Sequence, residues 1–496
     1  MSIFIVTFAF TLAISSKWAY SYFGLSSFEQ IVYHIKVPLE GTNTQFIFGW
    51  MKKCLLPGFI FGLIFSWVPI NIAKMILLLC CIYGLCQIHF FSYVFDQFKK
   101  TDFYDTYFVE SEVISPEKKM NFIHIYLESM ETTYAKKEDG GDANEDLLPY
   151  LSQLTKDSVS FSQHEKIGGA RVLTGTGWTT GGIVASTSGL PLIFSLKHKF
   201  CKDKVPFMPK VNTLGDILEK DGYNRVFMIG SDATFGGRRS YFDQHGHYDI
   251  QDTVSLKEEG ILDKNYHAFW GFEDDKLFEF AKEKILDLSK SSKPFDFEML
   301  TVDTHHPYGY QSKNCKNLFK ESLSNSIYHT DENLKDFMEW LKKQDFYKDT
   351  VIVIQGDHTS MAAEYIHDTY SSNYDRRVWN TFIHSRVKPV KEKNRDFTTM
   401  DFYPTILAAL GYKIKGDKLG LGTNLFSDTS TLTEKFDADF VDQEIKRNST
   451  FYRRDIQSDH SSDSGSDCAV SAGVYVSDIR KIQSGCSDEP FWHYDL

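Results

Sequence analysis

The chain reads as an α/β protein: a mostly parallel β-sheet sandwiched by helices, with an N-terminal transmembrane helical region ahead of it. Three features predict this. Between about residues 121 and 426, short apolar runs rich in β-branched and aromatic residues alternate with amphipathic stretches, the rhythm of strand and crossover helix in a parallel sheet. The apolar excess is concentrated in the first hundred residues, in runs near membrane-spanning length. Polar side chains fit for chemistry follow closely after four of the later runs, where an open sheet binds its ligands.

The anchor is expected over residues 1–98, with helices at about 2–16, 54–71 and 75–95. The first run is short, but Lys17 can snorkel and residues 18–25 can extend it. No basic residue precedes it, which makes a poor secretory signal peptide. Only residues 71–74 separate the other two runs, so they form a helical hairpin. Gln87 and His89, polar within its second arm, face the bundle or the interface. A hairpin puts residues 17–53 and everything after 96 on one side of the membrane. Lys17, Lys36, Lys52 and Lys53 lie in that first segment, and charge bias alone would keep them cytoplasmic.

Residues 99–119 are polar and read as a linker. The domain that follows, 120–430, carries buried-strand patterns at 121–127, 224–229, 297–302 and 350–354. Helical patterns lie at 214–219, 275–288, 332–343 and 402–410, the last stopped by Gly411. Such a sheet needs cover on both faces. From about 431 the rhythm gives way to a C-terminal tail, with the Ser- and Asp-rich 458–467 a flexible loop. Of eight cysteines, Cys54, Cys80, Cys81 and Cys86 belong to apolar runs. Cys201, Cys315, Cys468 and Cys486 stand in polar sequence. Cys468 with Cys486 is the first pair to test in an oxidising compartment, and four free thiols are the alternative. The net charge of −12 over 496 residues argues against a nucleic-acid partner, whose affinity comes from Lys and Arg.

Glu128 follows the first strand, Asp232 the second, His305 and His306 the third, Asp357 and His358 the fourth. One acidic residue after a strand is ordinarily a cap or turn; four such ends are harder to dismiss. Glu128, Asp357 and His358 make a divalent-metal set, and two carboxylates with an imidazole suit Mn2+ or Zn2+ better than Ca2+. The stretch Thr174-Gly175-Thr176-Gly177-Trp178-Thr179-Thr180-Gly181-Gly182 runs into small residues that read as a helix. Thr179 would stand at its N-terminus, where free N–H groups favour an alkoxide or a phosphate. A metal or base could then make it a nucleophile, although a cap formed by Thr176, Thr179 or Thr180 is the competing reading. No Gly-Lys-Ser/Thr closes a Walker loop. Arg238, in Gly236-Gly237-Arg238-Arg239, is either a phosphate clamp or part of a solvated surface pair.

These motifs, in this order, resemble the phosphoglycerol transferase I and lipoteichoic acid synthase-like family of the alkaline phosphatase and sulfatase superfamily. The resemblance runs from about 121 to 426. It is densest at Ile125-Tyr126-Leu127-Glu128-Ser129, at 175–192, at Asp303-Thr304-His305-His306-Pro307 and at 351–361. It implies an alkaline phosphatase-like fold and a sulfatase-like catalytic domain. It further implies that Glu128, Thr179, Asp357 and His358 hold a catalytic divalent metal, Mn2+ before Zn2+ or Mg2+, with Thr179 as nucleophile. His305, Arg238 and Asp232 are then the substrate-binding residues. The implied activity moves glycerophosphate from the anionic phospholipid phosphatidylglycerol to a cell-envelope glycan through a phospho-threonine-type intermediate. Its implied place is the bacterial cytoplasmic membrane, multi-pass, with the catalytic domain on the periplasmic or extracellular side, against the lysine count. A phosphoethanolamine transferase, a sulfatase-like phosphodiester hydrolase and a non-catalytic glycan or lipid binder are the other readings. Trp178 stands where the synthases carry a lysine, and no Cys or Ser followed by x-Pro-x-Arg offers a formylglycine nucleophile.

Overall fold

A computed structural model describes residues 2–24, 27–37, 45–194, 196 and 207–457. Six strands among them form the central sheet: β1 (Asn121–Leu127), β2 (Asn224–Ile229), β3 (Asp249–Gln251), β4 (Phe295–Leu300), β5 (Thr350–Gly356) and β6 (Asn380–Ile383), in the order β3-β2-β4-β1-β5-β6. Every neighbouring pair is parallel except β5 with β6 at one edge. Every residue of β4 and β5 is buried, as expected of strands covered on both faces.

Successive side chains of a strand point to opposite faces, and β1 divides its residues accordingly. Ile123, Ile125 and Leu127 pack with Leu277, Ala281 and Ile285 of helix Asp274–Ser289 and with Leu334, Phe337 and Leu341 of helix Ser322–Leu341. On the other face, Phe122 packs with helices Leu214–Lys220 and Phe402–Ala409. Tyr126 on that face joins Ile183 and Val184 of helix Thr179–Ser188. The α/β sandwich predicted from the sequence is therefore the observed architecture. The two edge strands β3 and β6 are too short for periodicity to have marked them.

Among the described residues, three helical stretches are long and apolar enough to cross a membrane: Ser2–Tyr22, Ile47–Ile64 and Ile70–Gln87. Their bounds differ from those expected. The first runs well past 16. The second starts before Lys52, because a π-helical stretch, Met51–Leu55, carries the chain through toward Pro57, which cannot donate its own helical bond. The turn lies just before Ile70, where Pro69 sets the helix start. The third ends at Gln87, and left-handed His89 separates it from the short helix Phe90–Phe98. Gly58 and Gly62 let the second span close on the first, since a Cβ would lie 2.1 Å from Thr11 Oγ1 and 1.8 Å from Thr7 Oγ1 respectively.

The first span ends against the α/β domain. The Tyr22 ring meets His306 edge-on at 5.9 Å, and helix Phe28–Lys36 buries Phe28, Val32 and Tyr33 in the same apolar cluster as Ile183. The segment expected as a linker also packs: Phe103 and Tyr104 are buried, and Val113–Ile114 pairs with Lys413–Ile414. In the region expected as a tail, Val441, Ile445 and Tyr452 are buried in that cluster too. Cys54, Cys80, Cys81, Cys86 and Cys315 are free thiols. Cys201, Cys468, Cys486 and loop 458–467 fall outside the described residues.

The stretch between β4 and helix Ser322–Leu341 is pinned at Asp275. Its carboxylate accepts from Ser312 Oγ (2.7 Å), Asn314 Nδ2 (2.8 Å), His329 Nε2 (2.6 Å) and Asn333 Nδ2 (3.0 Å). Burial would lower the His329 pKa, but its bond to Asp275 raises it above the ordinary imidazole value of about 6.5. A raised histidine contributes stability that is full below about pH 6.5 and fades as pH climbs through the raised value. His329→Gln should therefore lower the melting temperature by a few degrees at pH 6 and by less at pH 9. Equal gaps at both pH values in a thermal scan would remove the charge linkage.

Candidate active site

The site follows from strand register. β1 and β5 are parallel neighbours with Leu127 opposite Gly356, so the next residues along each strand, Glu128 and Asp357, emerge side by side at the carboxyl edge. Helix Thr179–Ser188 brings Thr179 to the same place. Its Gly182 is needed for close approach, because a Cβ there would lie 1.9 Å from the Asp357 carbonyl oxygen. All four residues, Glu128, Thr179, Asp357 and His358, are buried.

Their spacing suits a metal. His358 Nε2 lies 3.3 Å from Asp357 Oδ2 and 3.5 Å from Glu128 Oε1. Thr179 Oγ1 lies 3.4 Å from Glu128 Oε2 and 3.4 Å from His358 Nε2. These are long for hydrogen bonds, but tetrahedral ligands ~2.1 Å from one ion lie about 3.4 Å apart. The donor atoms are also prepared. Asp357 Oδ1 accepts from Ser129 N (2.7 Å) and His358 N (2.8 Å), whereas buried Oδ2 accepts no hydrogen bond among the described residues. His358 Nδ1 donates to the Thr359 carbonyl at 2.8 Å, so Nε2 presents its lone pair. Glu128, Asp357 and His358 together could hold a metal ion.

The electrostatics agree with the geometry. Burial, and then the Glu128 charge, push the Asp357 carboxyl up to about 7. Burial would lower the His358 pKa, but the Asp357 and Glu128 carboxylates raise it. Two buried carboxylates this close call for a positive partner.

Several residues that no sequence pattern singled out hold these groups in place. Glu128 N donates to Thr301 Oγ1 (2.8 Å), Thr304 Oγ1 donates to the Glu128 carbonyl (2.6 Å), and Ser129 Oγ donates to Glu128 Oε1 (2.6 Å). Buried Glu131 accepts from Ser360 N at 2.7 Å and pairs with Arg376, which fixes the loop just beyond His358. Apart from the Ser129 bond, these cross between segments distant in sequence, so local patterning could not reveal them.

The three expected substrate contacts stand apart from one another in character. Arg238 is buried, with its Nη2 on Ser231 Oγ (3.3 Å) and the Asp232 carbonyl (3.1 Å), while Nε has no partner among the described residues. The solvated-surface reading thus fails for Arg238. Arg239, by contrast, pairs with Asp252. Asp232 Oδ1 accepts from Thr234 N at 2.8 Å, a turn-forming bond. His305 stacks on His306 with ring centroids 4.4 Å apart and lies 4.9 Å from the Trp270 ring. Burial pushes the His305 pKa down to about 4. Its Nδ1 donates to the His306 carbonyl (2.9 Å), so at neutral pH Nε2 is an acceptor.

Known proteins share this fold and much of this sequence. The chain is 33% identical over 335 residues to phosphoglycerol transferase I of Escherichia coli (strain 55989 / EAEC), covering 65% of this chain and 41% of that protein. Phosphoglycerol transferase I of Shigella flexneri is 32% identical over 334 residues, with the same coverage. The chain thus spans about two fifths of the length of these curated relatives. A solved protein in the alkaline phosphatase superfamily from Vibrio parahaemolyticus shares the fold, with a TM-score of 0.50 at 22% identity over 69% of this chain and 79% of that one. The sulfatase family profile matches residues 120–412, well over half of the sequence, and the chain belongs to the sulfatase family.

Proposed function

We propose that this protein transfers glycerophosphate from phosphatidylglycerol to a cell-envelope glycan, with Thr179 as nucleophile. The observation that carries the reading is the set of ~3.4 Å separations among Thr179, Glu128 and His358, closed by the orphaned Asp357 oxygen. Similarity to phosphoglycerol transferase I supports the choice of donor. The end of an apolar span packed beside His306 supports a lipid substrate.

Glu128, Asp357 and His358 would hold the cation, which supplies charge neutralisation and a lower pKa for the Thr179 hydroxyl. Thr179 Oγ attacks phosphorus, and the bond from phosphorus to the diacylglycerol oxygen breaks. That oxygen leaves carrying the proton lost by Thr179. An acceptor hydroxyl then attacks the same phosphorus, its proton passes to Thr179 Oγ, and glycerophosphate departs on the glycan. The N-terminus of helix Thr179–Ser188 and the Arg238 guanidinium face the phosphate charge. His305 Nε2 accepts a hydrogen bond from the incoming hydroxyl. The catalytic domain lies outside the cytoplasmic membrane, where donor headgroup and glycan meet. Mn2+ is the proposed metal, with Zn2+ its main competitor because tetrahedral spacing suits zinc.

Incubated with phosphatidylglycerol and no acceptor, the protein should gain one glycerophosphoryl group on the Thr179 peptide by mass spectrometry. Thr179→Ala should slow donor cleavage by at least ~10³-fold; full activity in that variant would remove the assignment. Calorimetry should show one tight Mn2+ or Zn2+ site. Asp357→Asn should weaken it by more than the about 100-fold typical of losing a supporting residue. Donor labelled in its headgroup should deliver label to glycan, whereas free glycerophosphate alone would make the enzyme a hydrolase.

A further inference from the structure

We infer that Tyr33, on the membrane-proximal helix Phe28–Lys36, is a positioning residue of the active site: it locks the loop carrying Arg238 to the helix carrying Thr179. The inference rests on the reading of Arg238 as phosphate clamp. Tyr33 is fully buried, and its hydroxyl donates to the Gly236 carbonyl. The same carbonyl accepts from Thr180 Oγ1 at 2.8 Å. A carbonyl oxygen has two lone pairs, so this junction is complete. Three segments distant in sequence meet at one atom: the membrane-proximal helix, the nucleophile helix and the turn that leads into Arg238.

The surroundings leave the turn little freedom. Gly236 and Gly237 are both left-handed, with φ of 63° and 74°, and a Cβ on Gly237 would lie 2.6 Å from the Phe207 ring. The Tyr33 ring stacks on Phe194 at 5.7 Å and leans on Trp178 at 5.1 Å. Trp178 immediately precedes Thr179 in the chain. One tyrosine therefore touches the residue before the nucleophile and holds the carbonyl two residues before the clamp. Among the described residues Arg238 makes two side-chain hydrogen bonds, of 3.1 Å and 3.3 Å, and its Nε has no partner, so its aim depends on that turn.

Tyr33→Phe removes the hydroxyl and keeps the ring. In the full-length protein, with phosphatidylglycerol and Mn2+, it should lower kcat about tenfold and leave KM unchanged. The same change made on an Arg238→Ala background should cost less than ~2-fold, because the group being aimed is gone. Equal cost on both backgrounds, or wild-type kcat in Tyr33→Phe, overturns the inference. Hydrogen exchange tests it without turnover. The peptide spanning 235–240 should exchange severalfold faster in Tyr33→Phe, with β2 unchanged. Unaltered exchange overturns the junction even where no transfer is seen, whereas faster exchange without any transfer counts against the proposed reaction alone.

Discussion

Two carboxylates leave the sheet from adjacent parallel strands, and the register of those strands forces them together. Leu127 sits opposite Gly356, so Glu128 and Asp357 have no freedom to separate. In a buried space their mutual repulsion costs several kcal/mol unless a cation or proton relieves it. Much of the neighbouring structure serves this one arrangement. Thr301, Thr304 and Ser129 hold Glu128, two backbone amides hold one oxygen of Asp357, and Glu131 braces the loop beyond His358. These bonds fix where both carboxylates point.

The sulfatase fold is common ground for many chemistries, so the fold alone says little about the reaction. In this chain a threonine stands at the helix N-terminus with a tryptophan before it, and the end of an apolar helix touches His306 beside the candidate site. In the proposed reaction Arg238 and His305 would divide the labour, one as a cationic donor and the other as a neutral acceptor nitrogen. A phosphoryl group crossing from lipid to hydroxyl needs both kinds of contact.

Much of this was legible in the sequence, for identifiable reasons. Strand ends are marked by apolar runs that stop, and the polar residues just beyond them, Glu128, Asp357 and His358 among them, must lie at one edge. Thr179 was legible because small residues after glycines mark a helix start. Helix Phe28–Lys36 was not: its contacts to Gly236 and Trp178 arise only when distant segments pack. Strands β3 and β6 were too short to show a period, and the packing of Tyr104 and Tyr452 was hidden in stretches whose polar residues suggested a linker and a tail. Local pattern reports which face of an element is apolar, not which partner will cover it.

The interlocked helices of the anchor set a height as well as an attachment. An 18-residue span such as Ile70–Gln87 rises about 27 Å, slightly short of a ~30 Å hydrocarbon core. Gly58 against Thr11, Gly62 against Thr7 and Trp50 bonded to Ser15 at 2.8 Å leave the first two spans little room to slide past each other. Such a bundle meets a thicker bilayer by thinning the lipid around it. With these helices crossing a bilayer as proposed, membrane thickness would set how deeply the candidate site sits among the phospholipid headgroups.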